Sequence, residues 1–359
     1  MSDAPSQSGE QPPDAAGSGV NDLTAGTDRP EGVPAASWDR AGDAVENREE
    51  GREAATPADH VNVATDELES PAPASSAAEP PEMEPAGRQA DPEPSPTARA
   101  TRVIPPLPRI IAIANQKGGV GKTTTTVNLG AALAERDLRT LVIDLDPQGN
   151  ATTGLGINYR NLDHNMYDVL LHDVPLEDAI EPTEMRNLFV GAASLDLAGA
   201  EIELVPALSR ELRLKNALAE VIDDYDYVLI DCPPSLGLLT VNGLAAATEL
   251  IVPIQCEYYA LEGLAQLTRN VELVRKQLNP ALHISGIVLV MYDSRTRLAD
   301  QVAREVEEHF GDRVFRNKIP RNIKLSEAPS FGQPITTFDS SSRGAVAYRE
   351  LAREVSGGA

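Results

Sequence analysis

The chain has 359 residues, with 31 lysines and arginines against 55 aspartates and glutamates, 2 cysteines and a formal net charge of −24. Two cysteines are too few for a disulfide framework or a cysteine-bound metal cluster, no apolar run reaches the roughly 18 residues that a membrane span requires, and the N-terminus has neither the basic start nor the apolar stretch of a signal peptide. A cytoplasmic protein is expected, and the acidic balance argues against a nucleic-acid partner only if the charge is evenly spread.

It is not. Residues 1–100 hold 14 of the 28 prolines and carry 21 acidic against 6 basic residues, a net −15 that leaves −9 for the remainder. Their apolar residues are mostly alanine, with Trp38 isolated, so ordering this backbone would gain no core to offset its entropy. The expectation is a disordered acidic Pro/Ala-rich tail over 1–106, followed by one domain over 107–359.

The apolar run at 110–114 predicts a buried strand, and Lys117-Gly118-Gly119-Val120-Gly121-Lys122-Thr123-Thr124 follows it, opening a helical pattern over 123–135. Glycines at these positions let successive N–H groups curl around a polyphosphate, and the helix start directs its dipole at the same anion. Lys122 would then reach the terminal phosphates and the Thr123 hydroxyl would ligate Mg²⁺. The common phosphate-loop pattern asks for glycine where Gln116 stands; instead an additional lysine, Lys117, heads the loop. The bland alternative is a tight turn without a ligand.

A second strand is expected at 140–143, running into Asp144-Leu145-Asp146-Pro147-Gln148-Gly149-Asn150. Carboxylates two residues apart at a strand end face one side, and Pro147 and Gly149 turn the chain away. An acid here could hold the hydration shell of Mg²⁺ or orient a water toward a γ-phosphate; a solvated turn is the other reading. After a helix at 210–221, a third strand at 227–230 ends in Asp231-Cys232-Pro233-Pro234. Asp231 reads as a second magnesium-organising carboxylate, as a cap of the helix expected at 238–246, or as both. Strands at 250–254 and 284–291 and helices at 261–277, 299–310 and 345–355 complete the alternation. It predicts an α/β fold, a mostly parallel β-sheet covered by helices on both faces, with ligands at the carboxyl ends of the strands. Cys232 and Cys256 lie in apolar surroundings and read as small buried residues. From Arg313 to Lys324 there are five basic residues (Arg313, Arg316, Lys318, Arg321, Lys324) and no acidic one, which fits either a solvated face or contact with a phosphate backbone.

In this order the pieces resemble the ParA/Soj family of chromosome- and plasmid-partitioning ATPases, deviant Walker A members of the SIMIBI class of P-loop NTPases. The likeness continues through Glu257-Tyr258-Tyr259-Ala260-Leu261-Glu262-Gly263, Met291-Tyr292-Asp293, Ile319-Pro320-Arg321-Asn322 and Ser326-Glu327-Ala328-Pro329-Ser330. It covers 109–355 and none of the first hundred residues. What it implies is an ATPase that binds ATP with Mg²⁺ and forms an ATP-dependent homodimer with two nucleotides between the subunits. Such a dimer binds nucleoid double-stranded DNA without sequence specificity, and a ParB-like centromere-binding protein releases it by stimulating slow hydrolysis. By the resemblance, Lys117 reaches the partner's nucleotide, while Gly118, Gly119, Val120, Gly121, Lys122, Thr123 and Thr124 form the nucleotide loop. Thr123 also ligates magnesium, Asp146 positions the attacking water and Asp231 organises magnesium through water. Pro320 and Asn322 hold the adenine; Arg295 and Lys324 contact DNA.

Three alternatives stand beside this. A MinD-like membrane-associated positioning ATPase shares the loop but needs a basic amphipathic C-terminus, whereas this chain closes on a small, acidic one, so no membrane partner is expected. An iron–sulfur carrier needs paired cluster cysteines. A non-hydrolysing DNA-associated scaffold or regulator would have no use for Lys122, Asp146 and Asp231. The acidic tail reads as a solubilising extension, a competitor for the basic run, or the docking segment for a polar or growth-site partner.

Overall fold

In the computed structural model, which describes residues 105–257 and 260–357, a seven-stranded sheet carries the fold. The expected tail lies outside the described residues apart from 105 and 106. The elements run β1 (Arg109–Ile113), α1 (Lys122–Ala134), β2 (Thr140–Asp144), α2 (Asn150–Gly154), α3 (Met166–Leu171), β3 (Ile180–Pro182), β4 (Leu188–Gly191), α4 (Leu197–Glu203), α5 (Arg213–Leu218) and β5 (Tyr227–Asp231). They continue through α6 (Leu238–Ala246), β6 (Glu249–Gln255), α7 (Ala260–Gln277), β7 (His283–Val290), α8 (Arg297–Phe310), α9 (Ile323–Glu327), α10 (Ile335–Phe338) and α11 (Arg343–Ser356). The spatial order is β3-β4-β2-β5-β1-β6-β7, parallel except for β3, which pairs antiparallel with β4 at the edge.

Side chains on a strand alternate between faces, and here they divide into two cores. Ile111, Val142, Tyr227 and Leu229 face α1 and α11; Ala112, Leu141, Ile143, Val228 and Ile230 face the layer that includes α3, α6, α7 and α8. The mostly parallel sheet with helices on both faces is therefore as expected. β1 lies between β5 and β6, so the chain leaves it toward β2 in one direction and β6 continues in the other. At such a reversal the loops beyond the strands part and leave a crevice.

The departures from expectation have local causes. The short edge strand β3 lacks an apolar run, and Pro182 in it is tolerated because an edge strand leaves one row of N–H groups unpaired. The helix expected over 210–221 is reduced to α5, because Asn242 on α6 intervenes. Its Oδ1 accepts from Leu214 N–H at 3.2 Å and its Nδ2 donates to the Arg210 carbonyl at 2.7 Å, fixing where the helix begins. β7 stops at Val290 because Met291 takes a left-handed φ of 50°.

At the amino ends of the strands one charged pair is buried. Arg109 is 5% exposed and donates from Nε and Nη2 to both oxygens of Glu249 at 2.7 and 2.6 Å. Its Nη1 donates to the Val355 carbonyl at 2.5 Å and the Tyr227 hydroxyl at 3.3 Å.

Candidate functional site

The loop between β1 and α1 depends on two glycines. Gly119 and Gly121 have φ of 74° and 75°, a region costly for any residue with a Cβ, and Gly121 is the N-cap from which α1 starts. Around Gly118 and Gly119 a Cβ would meet nothing within 4 Å, so this part of the loop fronts open space. Val120 is buried beneath it. Lys122 is only 6% exposed, and among the described residues its ammonium makes no ion pair. A buried cation without a counter-ion is costly, and a polyanion in the loop would supply one.

The neighbouring strand ends carry the acids. Asp231, at the end of β5, is fully buried; its Oδ1 accepts from the Thr126 hydroxyl at 2.9 Å, and its Oδ2 has no partner. Thr123 and Thr126 are one turn apart on α1, so both hydroxyls act on this carboxylate and favour its charged form. Burial, followed by the charge of Asp144, nevertheless raises the Asp231 carboxyl above the usual range. Burial also raises Asp144, against the hydrogen bonds it accepts. Those bonds come from Thr152 N–H and Oγ1, both at 2.8 Å, and from Asp146 N–H at 3.1 Å. The Thr152 hydroxyl also accepts from Ala193 N–H at 2.9 Å, so Asp144 braces α2 against the segment after β4. Asp146, 8% exposed, accepts from Gln148 N–H at 3.0 Å.

Three mutually repelling carboxylates at adjoining strand ends, one oxygen orphaned, suit a divalent cation. Among the described residues no cluster of His, Cys, Asp and Glu could hold a metal ion by itself. A hard cation here would therefore complete its shell with the Thr123 hydroxyl, phosphate oxygens and water, as Mg²⁺ bound to a nucleotide does.

From the loop a cavity of about 750 Å³ extends past Gly121, Thr123, Thr124 and Asn128 to Met291, Pro320 and Asn322. Gly121 and Asn322, 201 positions apart in sequence, thus line one space wide enough for a nucleoside. The Asn322 side chain caps α9, accepting from Lys324 N–H at 2.9 Å. Asn128 accepts from Ile335 N–H at 2.6 Å and donates to the Thr124 carbonyl at 2.7 Å, tying α1 to the C-terminal segment.

The basic run does not form a single patch. Arg316, Lys318 and Arg321 line a second cavity of about 980 Å³ with Arg295 and Arg343, whereas Arg313 lies on a smaller one beside Arg109 at the opposite end of the sheet. Arg295, 85% exposed, pairs with Asp293 at 2.6 Å; Lys324 pairs with Glu327 at 2.8 Å. Lys117 pairs with Glu257 at 2.5 Å. Cys232 and Cys256 are buried, and burial raises both thiols.

Sequence reasoning missed Asn115, Thr126, Asn128 and Thr152. Thr126 was detectable from its spacing to Thr123, and Thr152 from the threonine-rich start of α2. Asn115 and Asn128 gave no signal, because their partners are remote in sequence.

A family model described as an AAA domain matches residues 108–284. The sporulation initiation inhibitor protein Soj of Bacillus subtilis is 57% identical over 247 residues, 69% of this chain and 98% of that protein. The chromosome partitioning protein ParA of Myxococcus xanthus is 54% identical over 247 residues, 69% of this chain and 87% of its own. Among solved structures, cobyrinic acid a,c-diamide synthase from Mycobacterium smegmatis with bound ADP and magnesium aligns with a TM-score of 0.60 at 43% identity, covering 68% of this chain and 92% of that one.

Proposed function

The chain belongs to the Soj/ParA family of chromosome-partitioning ATPases, and from that premise we propose a magnesium-dependent ATPase whose two copies join face to face around two ATP molecules and hold DNA without reading its sequence. The observation that carries the nucleotide reading is the buried Lys122, without an ion pair among the described residues, directly after a left-handed glycine loop and on the helix whose Thr126 holds Asp231, one of whose oxygens is orphaned.

In this reading Lys122 neutralises the terminal phosphates, and the backbone of Gly118, Gly119, Val120, Gly121 and Thr124 cradles them. Thr123 would ligate Mg²⁺ and Asp231 would hold it through water. The ion supplies charge neutralisation at the phosphate oxygens. Asp146 orients the attacking water, Lys117 crosses to the other copy's nucleotide, Pro320 packs on the adenine and Asn322 hydrogen-bonds it. Phosphoryl transfer to water needs positioning and charge neutralisation above all. A single copy lacks the crossing lysine, so it should hydrolyse slowly, and a ParB-like partner would act by completing the two-chain site.

Arg295 and Lys324 are assigned to the DNA surface, and the cavity wall of Arg316, Arg321 and Arg343 widens it. Backbone contact of this kind is strongly salt dependent and doubles its charge on dimerisation. Residues 107–359 are assigned to the ATPase unit, and 1–106 to an acidic extension that solubilises the chain, competes with DNA for the basic surface or docks a polar or growth-site partner. Nucleoid association follows from the DNA surface. No helix among the described residues is long and apolar enough to cross a membrane. The apolar face of α11 (Ala345, Tyr348, Leu351, Ala352, Val355) is buried within the fold, so it cannot serve as an amphipathic anchor without leaving the core.

The test is DNA binding of the purified chain with no nucleotide, with ADP and with ATP, beside an Asp146→Ala variant. Binding that requires ATP and persists in the variant supports the reading. Binding indifferent to nucleotide, together with absent ATP hydrolysis, would replace it with a non-hydrolysing scaffold.

A further inference from the structure

The lysine at the head of the loop is held by its own chain. Its ammonium lies 2.5 Å from Glu257 Oε2, with the two side chains 42% and 46% exposed. The pair joins adjacent strand ends, since Lys117 follows β1, Glu257 follows β6, and these strands are parallel neighbours. The backbone below is pinned. Asn115, 7% exposed, donates to the Pro253 carbonyl of β6 at 2.7 Å and accepts from Lys117 N–H at 3.0 Å. Glu257 N–H in turn donates to the Gln255 carbonyl at 2.8 Å. Both backbones are fixed while both charged ends stand in water, so what remains free to change is the direction of the lysine side chain.

We propose that Glu257 parks Lys117 within the single chain and so sets the protein concentration at which two copies join. This rests on the dimer reading above, and it names a positioning residue and a regulatory contact for that state. To reach the other copy's phosphates, Lys117 exchanges one carboxylate for a polyphosphate. The exchange runs toward the dimer because the polyphosphate carries more charge and more acceptor oxygens. An exposed pair of this kind changes an equilibrium constant by about two- to fivefold. A symmetric dimer opens two such pairs, so the effects multiply to about tenfold. Because both ends are solvated, the effect weakens as salt screens it.

The test uses the full chain and sedimentation velocity with magnesium and a non-hydrolysable ATP analogue, comparing wild type, Glu257→Gln, Lys117→Ala and the double variant at low and high salt. Glu257→Gln keeps the shape of the side chain at an exposed position, and a fluorescent analogue checks that its single-chain nucleotide affinity equals that of wild type. Expected is a dimerisation midpoint about tenfold lower in Glu257→Gln, a gain that shrinks at high salt and vanishes in the Lys117→Ala background. A variant that dimerises no more readily than wild type, or keeps its gain without Lys117, overturns the proposal while leaving the dimer intact. A wild-type chain that binds the analogue yet stays monomeric at every concentration overturns the dimer reading and this contact with it.

Discussion

The two ends of the same sheet bury charge in opposite ways. At the amino ends of the strands, Arg109 is matched to Glu249 through two hydrogen bonds, and its remaining donors find Tyr227 and the Val355 carbonyl. At the carboxyl ends, Asp144, Asp146 and Asp231 crowd together, Asp231 Oδ2 has no partner, and Lys122 makes no ion pair among the described residues. Both places lie within one fold and one pattern of strand pairing, so architecture alone does not explain the difference. A charge whose partners are all present serves stability. Charges of both signs left incomplete within one crevice belong to a ligand that brings the missing partners.

That contrast can be broken by substitution. Glu249→Ala should have the largest effect, about 3–5 kcal/mol of lost stability in urea unfolding, because Arg109 is left charged and buried; a loss below about 1 kcal/mol would mean that the pair is not a structural anchor. Lys122→Ala should lower ATP hydrolysis by about 100-fold or more. Without nucleotide the same variant should unfold no earlier than wild type, since it removes a buried charge that has no ion-pair partner; a marked drop in its urea midpoint would make Lys122 structural. Asp231→Asn should move stability least, holding or gaining up to about 1 kcal/mol without nucleotide because it relieves repulsion from Asp144. The same change should abolish the extra thermal stabilisation that magnesium adds to bound nucleotide. If Asp231→Asn instead destabilised the chain as much as Glu249→Ala, the two ends would be alike.

How much of this was legible depends on where the partners lie. The glycine loop, β1 and α1 are contiguous, and φ values of 74° and 75° at Gly119 and Gly121 are what a curled loop demands of glycine. The strands at 140–144 and 227–231 showed as continuous apolar runs because both faces are buried. β3 was hidden by its shortness and edge position, β4 went unread despite its Leu188-Phe189-Val190 run, and α2 was hidden by the weak helix propensity of Asn-Ala-Thr-Thr-Gly. The helix predicted over 210–221 shows a different limit, because a side chain on α6, 28 residues beyond Leu214, decides where α5 begins. The basic run misled in the same way: contiguous in sequence, it places Arg313 at one end of the sheet and Arg316, Lys318 and Arg321 on another cavity. By spacing alone Asp144 and Asp146 are equivalent; the resemblance chose Asp146, and in the fold Thr152 claims Asp144.

The cavity beside Arg109 is lined by Pro105 at one extremity of the described chain and by Val355 near the other. Entry and exit therefore meet at the amino ends of the strands, across the full length of the sheet from the glycine loop. For anyone attaching the protein to a surface, a dye or a second polypeptide, the end of α11 offers a handle at the opposite end of the sheet from the glycine loop. A tether placed there would pull on the anchor of the Arg109 side chain before it disturbed the loop.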